Sequence, residues 1–165
     1  MRVTSIADDR PRDARADRVS AAEARAMRAA IRLARRGVGT THPNPRVGAI
    51  VLKDGVVVGQ GFHARAGEAH AESRALDVAG GRASGATLVA TLEPCAHHGR
   101  TPPCTEAILR AGIRRVVLGM RDPNPLVDGR GIQRLRAGGV EIVEHVRSAE
   151  CRGLNPPYLK HLATG

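Results

Sequence analysis

The order of elements along this chain predicts an α/β fold, a five-stranded mixed sheet covered by helices. Three observations carry that prediction. Two apolar runs flank Lys53-Asp54-Gly55, which reads as a β-hairpin. After the hairpin, strand-length apolar runs alternate with helical stretches, as parallel strands and their crossovers do. The later strands are short and apolar on both faces, as strands buried between two helix layers should be.

The elements follow in order. Ser20 opens a helix, and Glu23 three residues later completes a capping-box pattern. Ala22, Met27, Ala30, Ile31 and Ala34 supply its apolar face, and Gly37 ends it. Residues 40–45 form a loop, because Pro43 and Pro45 push their predecessors into extended backbone. Residues 47–52 and 56–62 are the hairpin strands. Residues 70–79 are helical and stop at Gly80-Gly81, and residues 86–91 form the third strand. A helix over 102–111 starts on two prolines, which a first turn tolerates, and stops at Gly112. The fourth strand covers 113–119, a loop 122–131, a short helix 132–137 and the fifth strand 140–143. A final helix over 149–162 is interrupted by Pro156-Pro157. No internal repeat is present, and the Arg- and Asp-rich residues 1–19 read as a disordered tail ahead of one domain, 20–165.

Composition narrows the functional classes. At 165 residues and 42% hydrophobic content the chain suits one globular domain. No apolar run reaches the length of a membrane span, and the N-terminus lacks an apolar signal core, so a cytoplasmic protein with no membrane partner is expected. The formal charge of +10 is almost all arginine, since Lys53 and Lys160 are the only lysines. Such a charge invites a nucleic-acid reading. Phe62 and Tyr158 are the only aromatics, however, so there is no platform on which successive bases stack. A small anionic substrate fits the charge equally well. Three cysteines in a chain without an export signal point to metal or catalysis before disulfides, with Cys151 read as an ordinary buried apolar residue.

The chemistry concentrates in His70-Ala71-Glu72, Pro94-Cys95 and Cys104. One imidazole and two thiolates supply three zinc ligands and leave a fourth position for water. Glu72, two residues past the histidine, can move that water's proton. His70 and Glu72 lie about 200° apart around a helix, so they converge only if the helix aims its first turn at the metal. Cys104 sits just inside the next helix, with Thr101 a candidate N-cap, and a helix N-terminus favours the thiolate. The expected reaction is hydrolytic deamination: Glu72 takes a proton from water, the oxygen attacks an amine-bearing ring carbon, and ammonia leaves. The competing reading is a structural zinc site closed by His97 or His98. His42, His145 and His161 are isolated and suit surface or packing roles.

These residues carry a recognisable pattern. The stretch from Thr91-Leu92-Glu93-Pro94-Cys95 through His97-His98-Gly99-Arg100-Thr101-Pro102-Pro103-Cys104 closely resembles the riboflavin-biosynthesis pyrimidine deaminases of the cytidine-deaminase-like superfamily. His42-Pro43-Asn44-Pro45-Arg46-Val47-Gly48, Gly61-Phe62-His63, Ala66-Gly67-Glu68-Ala69-His70-Ala71-Glu72 and Asp122-Pro123-Asn124-Pro125 match in order, and the similarity covers about residues 20–155. The resemblance implies a three-layer α/β/α sandwich with zinc on His70, Cys95 and Cys104, and Glu72 as proton shuttle. It implies a substrate of the type 2,5-diamino-6-ribosylamino-4(3H)-pyrimidinone 5′-phosphate. Asn44, His63, His97, Arg100, Asp122 and Asn124 would contact it, and their donors and acceptors suit hydroxyls, ring edges and a phosphate. Asp122 and Asn124 also suit plain turn chemistry.

Family members of this type often continue into a reductase domain. The chain ends at Gly165 and shows no glycine-rich nucleotide motif, so reductase activity is not expected of it. The alternative on substrate context is a paralogue that works on the same or a similar precursor in a secondary-metabolite, pteridine-like pathway. A nucleic-acid base deaminase ranks below both. Self-association as a homodimer or larger is expected by analogy with the fold.

Overall fold

The computed structural model describes residues 18–164. The expected tail at 1–19 lies outside the described residues except for its last two. The elements are α1 (Ala21–Arg35), β1 (Gly48–Lys53), β2 (Val56–Phe62), α2 (Ala71–Ala79), a 3-10 turn (Gly80–Ala83), β3 (Thr87–Leu92), α3 (Cys104–Arg110), β4 (Arg115–Met120), α4 (Arg130–Ala137), β5 (Glu141–Val143), α5 (Ser148–Arg152) and α6 (Pro156–Thr164).

The five strands form one mixed sheet in the order β2-β1-β3-β4-β5. β1 pairs antiparallel with both β2 and β3, while β3, β4 and β5 run parallel. Successive side chains on a strand point to opposite faces, and both faces are buried here. Ala49, Val51, Leu88, Ala90, Val116 and Leu118 face a core shared with α2, α3 and α4. Ile50, Leu52, Val89, Val117 and Met120 face a second core built on α1 and α5. The molecule is the expected α/β/α sandwich, and the double burial explains the near-continuous apolar strands.

Ser20 and Glu23 form the expected reciprocal cap of α1. Glu23 does more than cap: its carboxylate also receives the Arg115 guanidinium at 2.7 and 3.2 Å, which ties α1 to β4. Several boundaries differ from the sequence reading by one or two residues. The fourth strand starts at Arg115, because the Ile113 amide still bonds to Ile108 at the end of α3. The expected interruption of the final helix is complete and leaves two helices, because Pro156 and Pro157 cannot continue the hydrogen-bond ladder and α6 restarts with proline in its first turn. Finally, α4 begins at Arg130, where a glutamate from β3's exit supplies the cap.

Sheet direction positions everything that follows. β3 and β4 end on the same edge of the molecule, and antiparallel β1 starts there. β2 ends beside that start, with Phe62 opposite Gly48. Helix α2 lies close on β2 because Gly59 and Gly61 carry no side chain: a Cβ at Gly59 would stand 2.2 Å from the Ala75 carbonyl.

Gly59→Ala is therefore expected to cost about 2–3 kcal/mol in urea unfolding, by forcing α2 off the sheet. Gly81→Ala meets open space and should change stability by less than about 0.5 kcal/mol.

Candidate active site

Five chain segments converge at this sheet edge. His70 is the N-cap of α2, still in extended backbone with φ −69° and ψ 162°, and Glu72 follows in the first helical turn. That conformational change between the two residues lets them aim at one point despite their spacing. Cys95 lies in the loop leaving β3, and Cys104 is the first residue of α3. The N-cap of α3 is Pro103, without a side-chain cap, so Thr101 does not take the expected role.

His70 Nδ1 stands 3.2 Å from Cys104 Sγ and 3.7 Å from Cys95 Sγ. All three donor atoms lie within 4.8 Å of one another. Donors bound to one tetrahedral zinc sit about 3.5–3.8 Å apart. The group is therefore positioned to bind a metal ion, and its imidazole-dithiolate chemistry suits zinc. Among the described residues no fourth His, Cys, Asp or Glu joins it, and His98 is exposed outside it. A closed structural site is not what this geometry makes.

The hydrogen bond with Cys104, against the penalty of burial and aided by that with His70, holds the Cys95 thiol below its ordinary value. The same bond to Cys95, with burial, pushes Cys104 up. The Cys104 amide also donates to Cys95 Sγ at 3.4 Å, so the start of α3 holds the thiolate. His70 is raised, first by its hydrogen bond to Cys95. Glu72 is 4% exposed, and burial pushes its carboxyl up to about 7. Its Oε2 lies 3.7 Å from Cys104 Sγ, beside the metal group without belonging to it.

A cavity of about 410 Å³ opens over this centre. His70, Glu72 and Cys95 line it, together with all six expected substrate residues: Asn44, His63, His97, Arg100, Asp122 and Asn124. Cys104 sits behind, 1% exposed. His63 faces the Ala69 carbonyl through Nδ1 at 3.3 Å and the Asn44 amide through Nε2 at 3.3 Å. Burial lowers its pKa, so the ring is neutral; Nδ1–H then donates to the carbonyl, and Nε2 accepts from Asn44. Asp122 carries out the expected turn chemistry, accepting the Asn124 amide at 2.9 Å, and lines the cavity as well.

Sequence reasoning passed over Glu93, Tyr158 and Asn155. Glu93 is 3% exposed and accepts the amides of Asp122, Gly129 and Ile132 at 3.2, 3.1 and 3.1 Å. It thereby fastens the Asp122 loop and the start of α4 to the cysteine loop. The one local signal was a glutamate directly after an apolar strand. Gly131 completes the fit, since a Cβ there would meet the Pro94 carbonyl at 2.0 Å.

An α/β/α sandwich that gathers one imidazole, two thiols and a buried glutamate at its strand ends defines a zinc deaminase class of site. Residues 20–120 match the family described as the cytidine and deoxycytidylate deaminase zinc-binding region. The chain belongs to that family. It is 53% identical over 139 residues to the Escherichia coli riboflavin biosynthesis protein RibD, an alignment that covers 84% of this chain and 38% of that protein. The Acinetobacter baumannii RibD structure superposes with a TM-score of 0.83 at 46% identity, covering 87% of this chain and 40% of that one. The Thermotoga maritima diaminohydroxyphosphoribosylaminopyrimidine deaminase/5-amino-6-(5-phosphoribosylamino)uracil reductase gives 0.81 at 43% identity, covering 86% and 41%. The chain thus spans roughly two fifths of these relatives' lengths.

Thiol chemistry tests the site. Cys151 is 1% exposed and pushed up to about 12 by burial, so iodoacetamide at pH 8 should leave it unlabelled in the folded protein. After chelation, Cys95 should label at least about tenfold faster than Cys151, read by peptide mass spectrometry, and zinc should protect it.

Proposed function

We propose that this chain hydrolytically deaminates a phosphoribosylated diaminopyrimidine, 2,5-diamino-6-ribosylamino-4(3H)-pyrimidinone 5′-phosphate, in riboflavin biosynthesis. The observation that carries this reading is Glu72, buried beside the three metal donors in one cavity of a chain about half identical to RibD proteins. His70, Cys95 and Cys104 would hold zinc, which would supply an acidified water and an electrostatic sink for the attack.

The chain's own residues supply the rest. Glu72 accepts one water proton on its carboxylate and delivers it to the ring nitrogen beside the amine-bearing carbon; it then takes the second water proton from the added hydroxyl and delivers it to the amine, which leaves as ammonia. A carboxyl held near neutrality by burial suits both directions of transfer. Water oxygen replaces the amine, so the products are ammonia and a ring carbonyl. The neutral His63 and Asn44 form a hydrogen-bonded pair that suits the ring edge. Asp122 offers acceptors to ribosyl hydroxyls, while Arg100 and His97 suit the phosphate. A cytoplasmic setting and self-association belong to the same reading, on the sequence and on analogy with the fold. The described helices include none long and apolar enough to cross a membrane.

Ammonia release from this intermediate, compared with cytidine, guanine and adenosine, tests the substrate assignment. Turnover of cytidine with none of the phosphoribosyl compound would overturn it. Glu72→Gln should lower kcat by at least about a thousandfold while keeping about one zinc per chain by elemental analysis. Arg100→Ala should raise KM by about tenfold or more for the phosphorylated substrate and leave the dephosphorylated compound's KM unchanged.

A further inference from the structure

Helix α6 brings Tyr158 to the cavity wall. Its hydroxyl donates to the Asp122 carboxylate, lying 3.0 Å from Oδ1 and 3.2 Å from Oδ2. Oδ1 also accepts the Asn124 amide, and the Asp122 amide is itself held by Glu93. Asp122 is 5% exposed, so its side chain is restrained by protein groups and has little water to pair with. At the other end of the segment, Asn155 grips the backbone of Arg46. The Arg46 amide donates to Asn155 Oδ1 at 2.6 Å, and Asn155 Nδ2 donates to the Arg46 carbonyl at 2.9 Å. Arg46 lies two residues past Asn44. One short segment therefore bridges the wall that carries Asn44 and the wall that carries Asp122 and Asn124.

We propose that Tyr158 is a positioning residue of the substrate pocket, which holds the Asp122 carboxylate in the one orientation that presents its remaining lone pairs to a substrate hydroxyl or amine. An ionised carboxylate has about four acceptor sites. The Asn124 amide and the phenol occupy the inner ones, which leaves the others for the ligand. A phenol restrains the acceptor without neutralising it, whereas a lysine or arginine at this position would consume the charge. Phenylalanine would fill the same space and leave the carboxylate free to rotate. The inference rests on the proposed activity, because it gives Asp122 a ligand to orient.

The test compares the wild-type zinc-loaded chain with Tyr158→Phe, Asp122→Asn and the double variant, on the phosphoribosyl diaminopyrimidine. Tyr158→Phe should raise KM by about tenfold, the scale of one hydrogen bond to a charged group. Its kcat should stay within about twofold, and its zinc content and Tm should match wild type. On the Asp122→Asn background the tyrosine change should add nothing, since the group it positions is gone. A second measurement needs no turnover. The chain has one tyrosine and no tryptophan, so phenolate absorbance reports Tyr158 alone. Burial and the Asp122 charge hold that hydroxyl's pKa high, and Asp122→Asn should shift its ionisation to lower pH.

An unchanged KM in Tyr158→Phe, or kcat, zinc and Tm falling together, would overturn the positioning role. An unmoved phenol titration in Asp122→Asn would overturn the contact itself. If the wild type releases no ammonia from the compound, the proposed activity fails and this role fails with it. A wild type that turns over while Tyr158→Phe behaves identically removes the role of Tyr158 alone.

Discussion

Three donors from separate segments must meet within bonding distance of one ion, at the base of the cavity. That convergence of His70, Cys95 and Cys104 is the constraint on which the rest of the site depends. None of the three segments can hold its position alone. The α2 end is fixed because the helix rests directly on the glycines of β2. The Cys95 loop is fixed from both sides, by the amides of Cys104 and Thr105 at the start of α3 and by Pro94 lying against Gly131. A shift of one ångström in any of them would take a thiolate out of reach of the ion, because metal–ligand distances tolerate only about 0.2 Å.

The loops around this centre would ordinarily be its weakest part. Their backbone groups lie partly buried and cannot all find water. Side chains do that work here. Thr91 accepts the Gly48 amide, Glu93 takes three amides, and Asn155 pairs with both backbone groups of Arg46. Glu93 and Asn155 each close a gap between loops that are distant in sequence, and Thr91 joins the adjoining ends of β1 and β3. The site thus gains the rigidity of regular structure while its walls stay irregular enough to carry Asn44, His97, Arg100 and Asn124. Glu72 gains from the same enclosure: burial lifts its pKa toward neutrality, and the carboxyl becomes able to give as well as take a proton.

Much of this was legible along the chain. The capping box at Ser20, the hairpin at Lys53-Asp54-Gly55 and the apolar strand runs are local signals, and each element formed where those signals stood. The metal donors were legible for another reason. His-x-Glu, Pro-Cys and a later Cys are residue types whose chemistry has few other uses together. The errors fell where two signals close together in the chain compete for one boundary. Thr101 had the composition of a cap, yet Pro103 takes the position; Ile113 had the composition of a strand, yet α3 keeps its amide.

The sequence by itself determined the layers and the three candidate metal donors, and it singled out Glu72 beside them, because these follow from periodicity and from the chemistry of single residue types. Tertiary structure decided what holds the walls of the site in place. Glu93, Asn155 and Tyr158 carry no motif, and their meaning lies in partners 29, 109 and 36 residues away. A hydrogen bond depends on distance in space, and that distance exists only after the sheet has set the ends of β1, β3 and β4 side by side.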